Sequence, residues 1–265
     1  MNSIPPYEES LNASKINRIV AQCPDGVPMT SVWLASQKVS AQLANCYKHS
    51  GWLASLGRGA WMRVGTKLTL AGAIYAVQQQ LQIKVYLAAR TALELQGRTH
   101  FAPLGSSPVL QLSVEAGQNL PAWFTAQSFA SNINVLNSSA LFDPVFVGLT
   151  EWKSGELPIK ISSPERAIVE YCYFLPKNAD FDEAWQLMEG LTSLRPRLLQ
   201  NILLACKSIK TKRLFLALSC AVGHSWYKQL DIESFELGAG NRSVMANGHL
   251  HPQFKITVPR EWIIS

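Results

Sequence analysis

The stretch SGWLASLGRGAWMRVG, residues 50–65, decides how the N-terminal part of this chain is read. Its two short runs fold back on each other around Arg58. A three-residue loop, Gly57-Arg58-Gly59, pairs Leu56 with Ala60, Ala54 with Met62 and Trp52 with Val64. All six are apolar and, at period two, share one face. Leu53, Ser55, Trp61 and Arg63 take the other face. Glycine supplies the positive φ that a short hairpin loop needs. The expectation is a β-hairpin with one buried apolar face and an arginine at its tip.

Three helical patterns precede it. Ser14 caps a first helix that carries Ile16, Ile19, Val20 and Cys23 at helical spacing and ends at Pro24-Asp25-Gly26. Thr30 or Ser31 opens a second, with Val32, Trp33 and Leu34, ending near Gln37. After Lys38-Val39, Ser40 caps a third that runs to about His49, with Leu43, Cys46 and Tyr47 as its apolar face. Three short helices followed by a hairpin is the order of a winged helix-turn-helix. In that geometry the third helix enters the major groove of DNA. Its free face holds Ala41, Gln42, Asn45, Lys48 and His49. Gln42 and Asn45 suit adenine edges, and Lys48 and His49 suit guanine or phosphate. Arg58 at the wing tip reaches a phosphate or a narrow minor groove. Ser40 at the helix cap and Arg63 on the wing complete the candidate DNA-binding set. The alternative is a winged helix that binds protein only.

Charge is placed unevenly. The chain has 265 residues, 48% apolar and 16% charged, with a net charge of +6. Residues 1–100 hold ten Lys and Arg against four acids, and the remainder holds fourteen of each. A basic segment beside a neutral one points to a polyanion-binding module joined to something else. Five cysteines, at 23, 46, 172, 206 and 220, form no C-x-x-C. Such a scattered set reads as reduced thiols of a cytoplasmic protein, most of them packing residues. Met1–Ser10 has neither the basic flank nor the apolar core of a signal peptide, and the longest apolar run, within Leu214–Val222, is far short of the ~20 residues of a membrane span.

From Leu68 the pattern changes, which places the domains at 1–67 and 68–265. The fold class is α+β: an N-terminal winged helix-turn-helix followed by a larger mixed α/β domain. A helix is expected over Leu70–Leu81, a strand over Ile83–Leu87, a helix over Thr91–Leu95, strands at Val109–Val114, Ile133–Leu136 and Leu157–Ser162, and a helix at Ala122–Phe129. Helices follow over Pro164–Phe174, Asp182–Leu191, Pro196–Ala205 and Lys212–Val222, with a last hairpin around Asn247-Gly248. Ser163-Pro164-Glu165-Arg166 is a helix start, with Ser as cap and Pro at the first position. Lys207, Lys210, Lys212 and Arg213 form a basic cluster, read as a solvated face or a partner-binding surface.

An enzyme reading is weaker. Asp143 with Glu151-Trp152-Lys153 imitates the carboxylate and lysine set of metal-dependent nucleases, but 151–153 reads as a loop. His249-x-His251 lacks a third ligand close in sequence and reads as a surface loop. No Gly-x-Ser-x-Gly, P-loop or Rossmann fingerprint is present. The expectation is a non-enzyme without cofactor or metal.

The hairpin stretch, together with GAIYAVQQQL (72–81), ARTALELQGRTHF (89–101) and SPERAIVEY (163–171), resembles the AbiEi antitoxins of type IV toxin–antitoxin systems. The resemblance implies a winged helix that binds inverted repeats in the promoter of its own operon. It also implies a C-terminal domain that counteracts a nucleotidyltransferase-like toxin without requiring a stable complex. One winged helix reads a short site, so an inverted repeat needs two copies, brought together on DNA. Where the family often has Tyr after Gly-Arg-Gly-Ala this chain has Trp61, and Ala88-Ala89 stand where glycines are common.

Overall fold

Ile16, Ile19 and Val20 are buried, as their helical spacing requires, on a first helix (α1) observed over 15–22, and so is Cys23 just after its end. The computed structural model describes residues 15–98 and 109–263. Ser14 and the last three residues of the block 89–101 lie outside the described residues. By its contacts the chain divides into two units. The first segment of one ends at Lys84, with Asn119–Ser131 and Trp152–Ile159 added; the other takes Val85–Gln118, Asn132–Glu151 and the chain from Lys160 onward. The boundary read after Lys67 thus falls inside the first unit.

In the first unit a short strand, β1 (Met29–Thr30), leads into α2 (Ser31–Ser36) and α3 (Ala41–His49). The hairpin strands β2 (Leu53–Gly57) and β3 (Ala60–Arg63) complete a three-stranded sheet in the order β1-β3-β2. Ala54 does oppose Met62, but the register shifts between Ser55 and Gly57. Leu56 is taken up in this bulge, and the loop shrinks to Arg58-Gly59, because Gly57 pairs with Ala60. The expected single apolar face is also corrected. Ala60, Trp61 and Met62 are buried at consecutive positions, as is Leu53, while Trp52 and Val64 stay 41% and 50% exposed. β3 is the central strand, covered on both faces, and the open end of the hairpin is not covered.

The expected helix over 70–81 is α4 (Leu70–Tyr75), continued by a π-helical turn over Ala76–Gln80. It belongs to the first unit for two visible reasons. A Cβ at Gly72 would stand 1.9 Å from the Gly26 carbonyl oxygen, so only glycine allows this approach. The Gln80 side chain accepts from the Thr30 amide at 3.0 Å and donates to the Pro28 carbonyl at 2.9 Å, holding β1.

The second unit is built on a five-stranded sheet in the order β6-β5-β4-β8-β7, of which the end of β7 and the start of β8, within Trp152–Ile159, count with the first unit. Its strands are β4 (Val85–Leu87), β5 (Leu110–Val114), β6 (Ile133–Asn137), β7 (Leu149–Ser154) and β8 (Leu157–Ser162). β4 runs antiparallel to β5 and parallel to β8, and β5 runs parallel to β6. Short helices α5 (Ala89–Leu95) and α7 (Ser138–Leu141) fall between its strands in the chain, as does α6 (Ala122–Thr125), which belongs to the first unit; α8 (Pro164–Phe174), α9 (Phe181–Glu189), α10 (Pro196–Ala205) and α11 (Ile209–Val222) follow. The fold is therefore α+β, with the larger mixed part C-terminal.

The start of α8 is as read: Ser163 accepts from the Arg166 amide, and Pro164 occupies the first turn. What the reading lacked is depth. Arg166 and Glu170 are wholly buried and paired at 2.7 Å. Arg166 also donates to the carbonyls of Val145 and Val147, and Glu170 accepts from the Ala89 amide at 3.1 Å. This pair ties the loop before β7 and the start of α5 to α8. Ala89 has φ 44°, in the left-handed region, one of the two positions noted above for family glycines.

Candidate nucleic-acid interface

Local chemistry sets the two helices of the candidate interface. The Thr30 hydroxyl accepts from the Trp33 amide and caps α2; the Ser40 hydroxyl accepts from the Leu43 amide at 3.2 Å and caps α3. Between them the Lys38 amide donates to Ala35 and the Val39 amide to Leu34, while Leu34 and Val39 are both buried. That is a Schellman turn, with a lysine at φ 60° where glycine is usual. The Lys15 ammonium donates to the Lys38 carbonyl at 2.6 Å. The connection between α2 and α3 is thus held by hydrogen bonds on both sides.

On α3, Ala41, Gln42, Asn45, Lys48 and His49 are all exposed. At 3.6 residues per turn they occupy an arc of about 120°. The buried side is Ala44 and Tyr47, with Leu43 partly covered. Cys46, expected on the apolar face, is exposed at its border. His49 Nδ1 donates to the Asn45 carbonyl at 2.7 Å, which leaves Nε2 as the free polar atom of the ring. Ser40 is exposed beside this face.

The wing carries Arg58 and Arg63, both exposed. The Ser31 amide donates to the Gly59 carbonyl at 2.9 Å, tying the wing turn to the start of α2. Gly57, at φ 136°, passes Trp123 so closely that a Cβ would lie 3.2 Å from the Trp123 Cβ. No Asp or Glu occurs between Asp25 and Glu94, so nothing in this stretch offsets its lysines and arginines. A face of amide, imidazole and ammonium groups next to two guanidinium groups is chemically suited to phosphates and base edges.

The other sequence candidates fare differently. The basic cluster at 207–213 is not a surface. Lys212 and Arg213 are buried, because α11 is the central helix of its unit. The Arg213 guanidinium donates to the carbonyls of Leu237, Gly238, Gly240 and Lys255 at 2.7–2.9 Å. Lys210 donates to the carbonyls of Tyr173 and Leu175. Only Lys207 stays substantially exposed, donating to the Ser139 carbonyl. Glu151 and Lys153 lie on β7, a strand and not a loop. His251 is buried, and its Nδ1 accepts from the amides of Gln253 and Phe254. Among the described residues no group of three or more His, Cys, Asp or Glu is placed to hold a metal. Burial pushes the thiols of Cys23 and Cys172 up to about 12 and that of Cys206 to about 11, in keeping with packing roles. No helix among the described residues is long and apolar enough to cross a membrane.

Sequence reasoning missed the groups that aim this interface: Lys15, Gln80 and β1. Their partners are 23 and about 50 residues away in the chain, so no local pattern marks them.

Comparison with known proteins assigns nearly the whole chain to two family models. Residues 12–104 match the model of a transcriptional regulator, the AbiEi antitoxin N-terminal domain. Residues 107–259 match that of a transcriptional regulator, AbiEi antitoxin, of type IV toxin–antitoxin systems. The crystal structure of the RV2827C protein from Mycobacterium tuberculosis is similar with a TM-score of 0.61, covering 97% of this chain and 92% of that one at 12% identity. At that identity the likeness concerns the fold alone. No curated protein matches the chain significantly.

Proposed function

The chain belongs to the AbiEi antitoxin family of transcriptional regulators of type IV toxin–antitoxin systems, and from that premise we propose that it represses its own operon through the winged unit. Gln42 and Asn45 read base edges. Lys48 and His49 read guanine or phosphate, Arg58 enters at the wing, and Ser40 and Arg63 contact the backbone. The operator is an inverted repeat in the promoter, bound by two copies of the chain. The toxin it counteracts is nucleotidyltransferase-like, and no stable complex with it is required. The observation that carries the reading is the acid-free, exposed polar face of α3 beside two exposed wing arginines.

The test is fluorescence anisotropy of the full chain on DNA from just upstream of its reading frame, with random duplex as control, over a range of salt. Selective binding whose log K falls with log salt supports the reading. Equal affinity for both duplexes, or none for either, overturns it. In that case a protein-only adaptor moves forward, favoured by the exposed Trp52 and Val64, joined by the Val64 amide to the Trp52 carbonyl.

A further inference from the structure

A cleft of about 580 Å3 opens in the second unit where α8 ends. Val135 of β6, an edge strand, forms one wall; the turn after α8 and Val244 form others; Lys210 from the first turn of α11 closes it. Among the described residues, the charged ones lining it are Lys177 and Lys210, with no carboxylate.

Lys210 is fixed in place. Its ammonium donates to the Tyr173 carbonyl at 2.7 Å and the Leu175 carbonyl at 2.6 Å, and sits 5.3 Å from the Tyr173 ring centre. Two of its three protons are used, and one remains. Burial lowers its pKa; Cys172 opposes this, and the nearby Lys177 ammonium adds to it. Two cations that repel each other across a common space gain most from an anion between them. The remaining walls are of another kind. Val135 is half exposed on its strand, and Pro176 and Val244 extend the apolar surface, while Asn178 and Ser243 bring an amide and a hydroxyl.

We propose that this cleft binds a nucleoside phosphate, with the phosphates on Lys177 and Lys210 and the nucleoside against Val135, Pro176 and Val244. The volume falls in the range of about 300–1,000 Å3 usual for small-ligand sites. Lysine acts on phosphate as a point charge and needs no fork geometry. A concave space with an apolar wall fits a single nucleotide better than a polynucleotide backbone, which is tracked along an open groove. None of the residues lining it is among those assigned to the operator, and the proposal stands without them.

The experiment is calorimetric titration of the full chain with ATP, GTP, CTP and UTP, with pyrophosphate and with a short single-stranded oligonucleotide. Saturable binding of at least one nucleotide, tighter than pyrophosphate, is expected. Lys210 also holds the end of α8, so Lys210→Gln is expected to lower both affinity and melting temperature. Lys177 is exposed and has no such duty, so Lys177→Gln should weaken nucleotide binding by roughly three- to tenfold at unchanged melting temperature. No nucleotide binding up to about 1 mM would overturn the proposal. So would pyrophosphate binding as tightly as every nucleotide, binding of the oligonucleotide alone, or full nucleotide affinity in Lys177→Gln.

Discussion

Lys48, His49, Arg58 and Arg63 of the winged unit are exposed, whereas Lys212 and Arg213 of the second unit are drawn into theirs. As sequence the two groups look alike: short runs rich in lysine and arginine with no adjacent acid. Their difference comes from what surrounds the helix that carries them. α3 is covered on one side only, so its cations stay hydrated. α11 is covered along most of its length, and among the described residues no carboxylate pairs with its Arg213. Four backbone carbonyls from the loops around it take the place of water. A buried cation held in this way is a clamp on those loops, while an exposed one is free to bind.

The sharpest way to break this comparison is to truncate one side chain in each unit. Arg213→Ala takes its donor from the carbonyls of Leu237, Gly238 and Gly240, while that of Lys255 keeps the Arg242 amide, and a stability loss of about 3 kcal/mol or more is expected by denaturant titration. A loss under about 1 kcal/mol would mean that the clamp contributes little. Asn45→Ala, on the exposed side, should instead cost about 1–3 kcal/mol of discrimination between operator and random DNA. Equal losses on both duplexes would remove Asn45 from base reading.

A third variant concerns pairing, not exposure. Glu165 is buried beside the largely exposed Arg195, which donates to it from Nε at 2.9 Å and from Nη2 at 3.0 Å. Burial alone would raise the carboxyl, but the hydrogen bonds from Arg195 outweigh it and hold the pKa at about 2, against 4.5 ordinarily. The folded value is the lower one. Its stabilisation is therefore present in full above the unfolded pKa and is lost as pH falls from about 4.5 through 2. Melting temperature should fall across that window, and Arg195→Leu should shift the fall to higher pH. An identical acid profile for both proteins would dissolve the pair as a source of acid stability.

The smallest effects belong to the winged unit. Lys38→Gly relieves a left-handed lysine in the turn between α2 and α3, and a gain of about 0.5–1 kcal/mol is expected by thermal melting. Loss of stability would show that the Lys38 side chain contributes a contact of its own. Arg58→Ala should change stability by less than about 0.5 kcal/mol. The same variant should lower the salt slope of DNA binding by about 1, and an unchanged slope would take Arg58 off the phosphates.

Where a boundary is made by adjacent residues, it could be read directly. Ser163-Pro164 starts α8, Pro196 starts α10, and β8 covers Leu157–Ser162 as expected. Ser40 and the Schellman turn at Lys38 likewise lie within a few residues of the helices they bound. The three helices and the hairpin of the winged unit, and the free face of α3, were legible for the same reason. β1 was missed because two residues show no periodicity, and it exists only by pairing Met29 with Trp61 and Thr30 with Ala60. β7, with Thr150, Glu151 and Lys153 among its residues, reads as a loop until β8 supplies its hydrogen bonds. The last hairpin was displaced. Asn247-Gly248 carries the turn signal, but His249–Leu250 pairs with Thr257–Val258, and the chain turns at 251–256 around the ring of His251.

By itself, then, the sequence determined the helix caps, the turn residues, the uneven charge and the order of elements, since each rests on interactions between near neighbours. Only the tertiary structure decided which cations face water, which face of the hairpin is covered, and which distant side chains meet. Those outcomes depend on what packs against a residue, and the packing partners of Gly72, Arg213 and Lys210 stand tens of residues away in the chain.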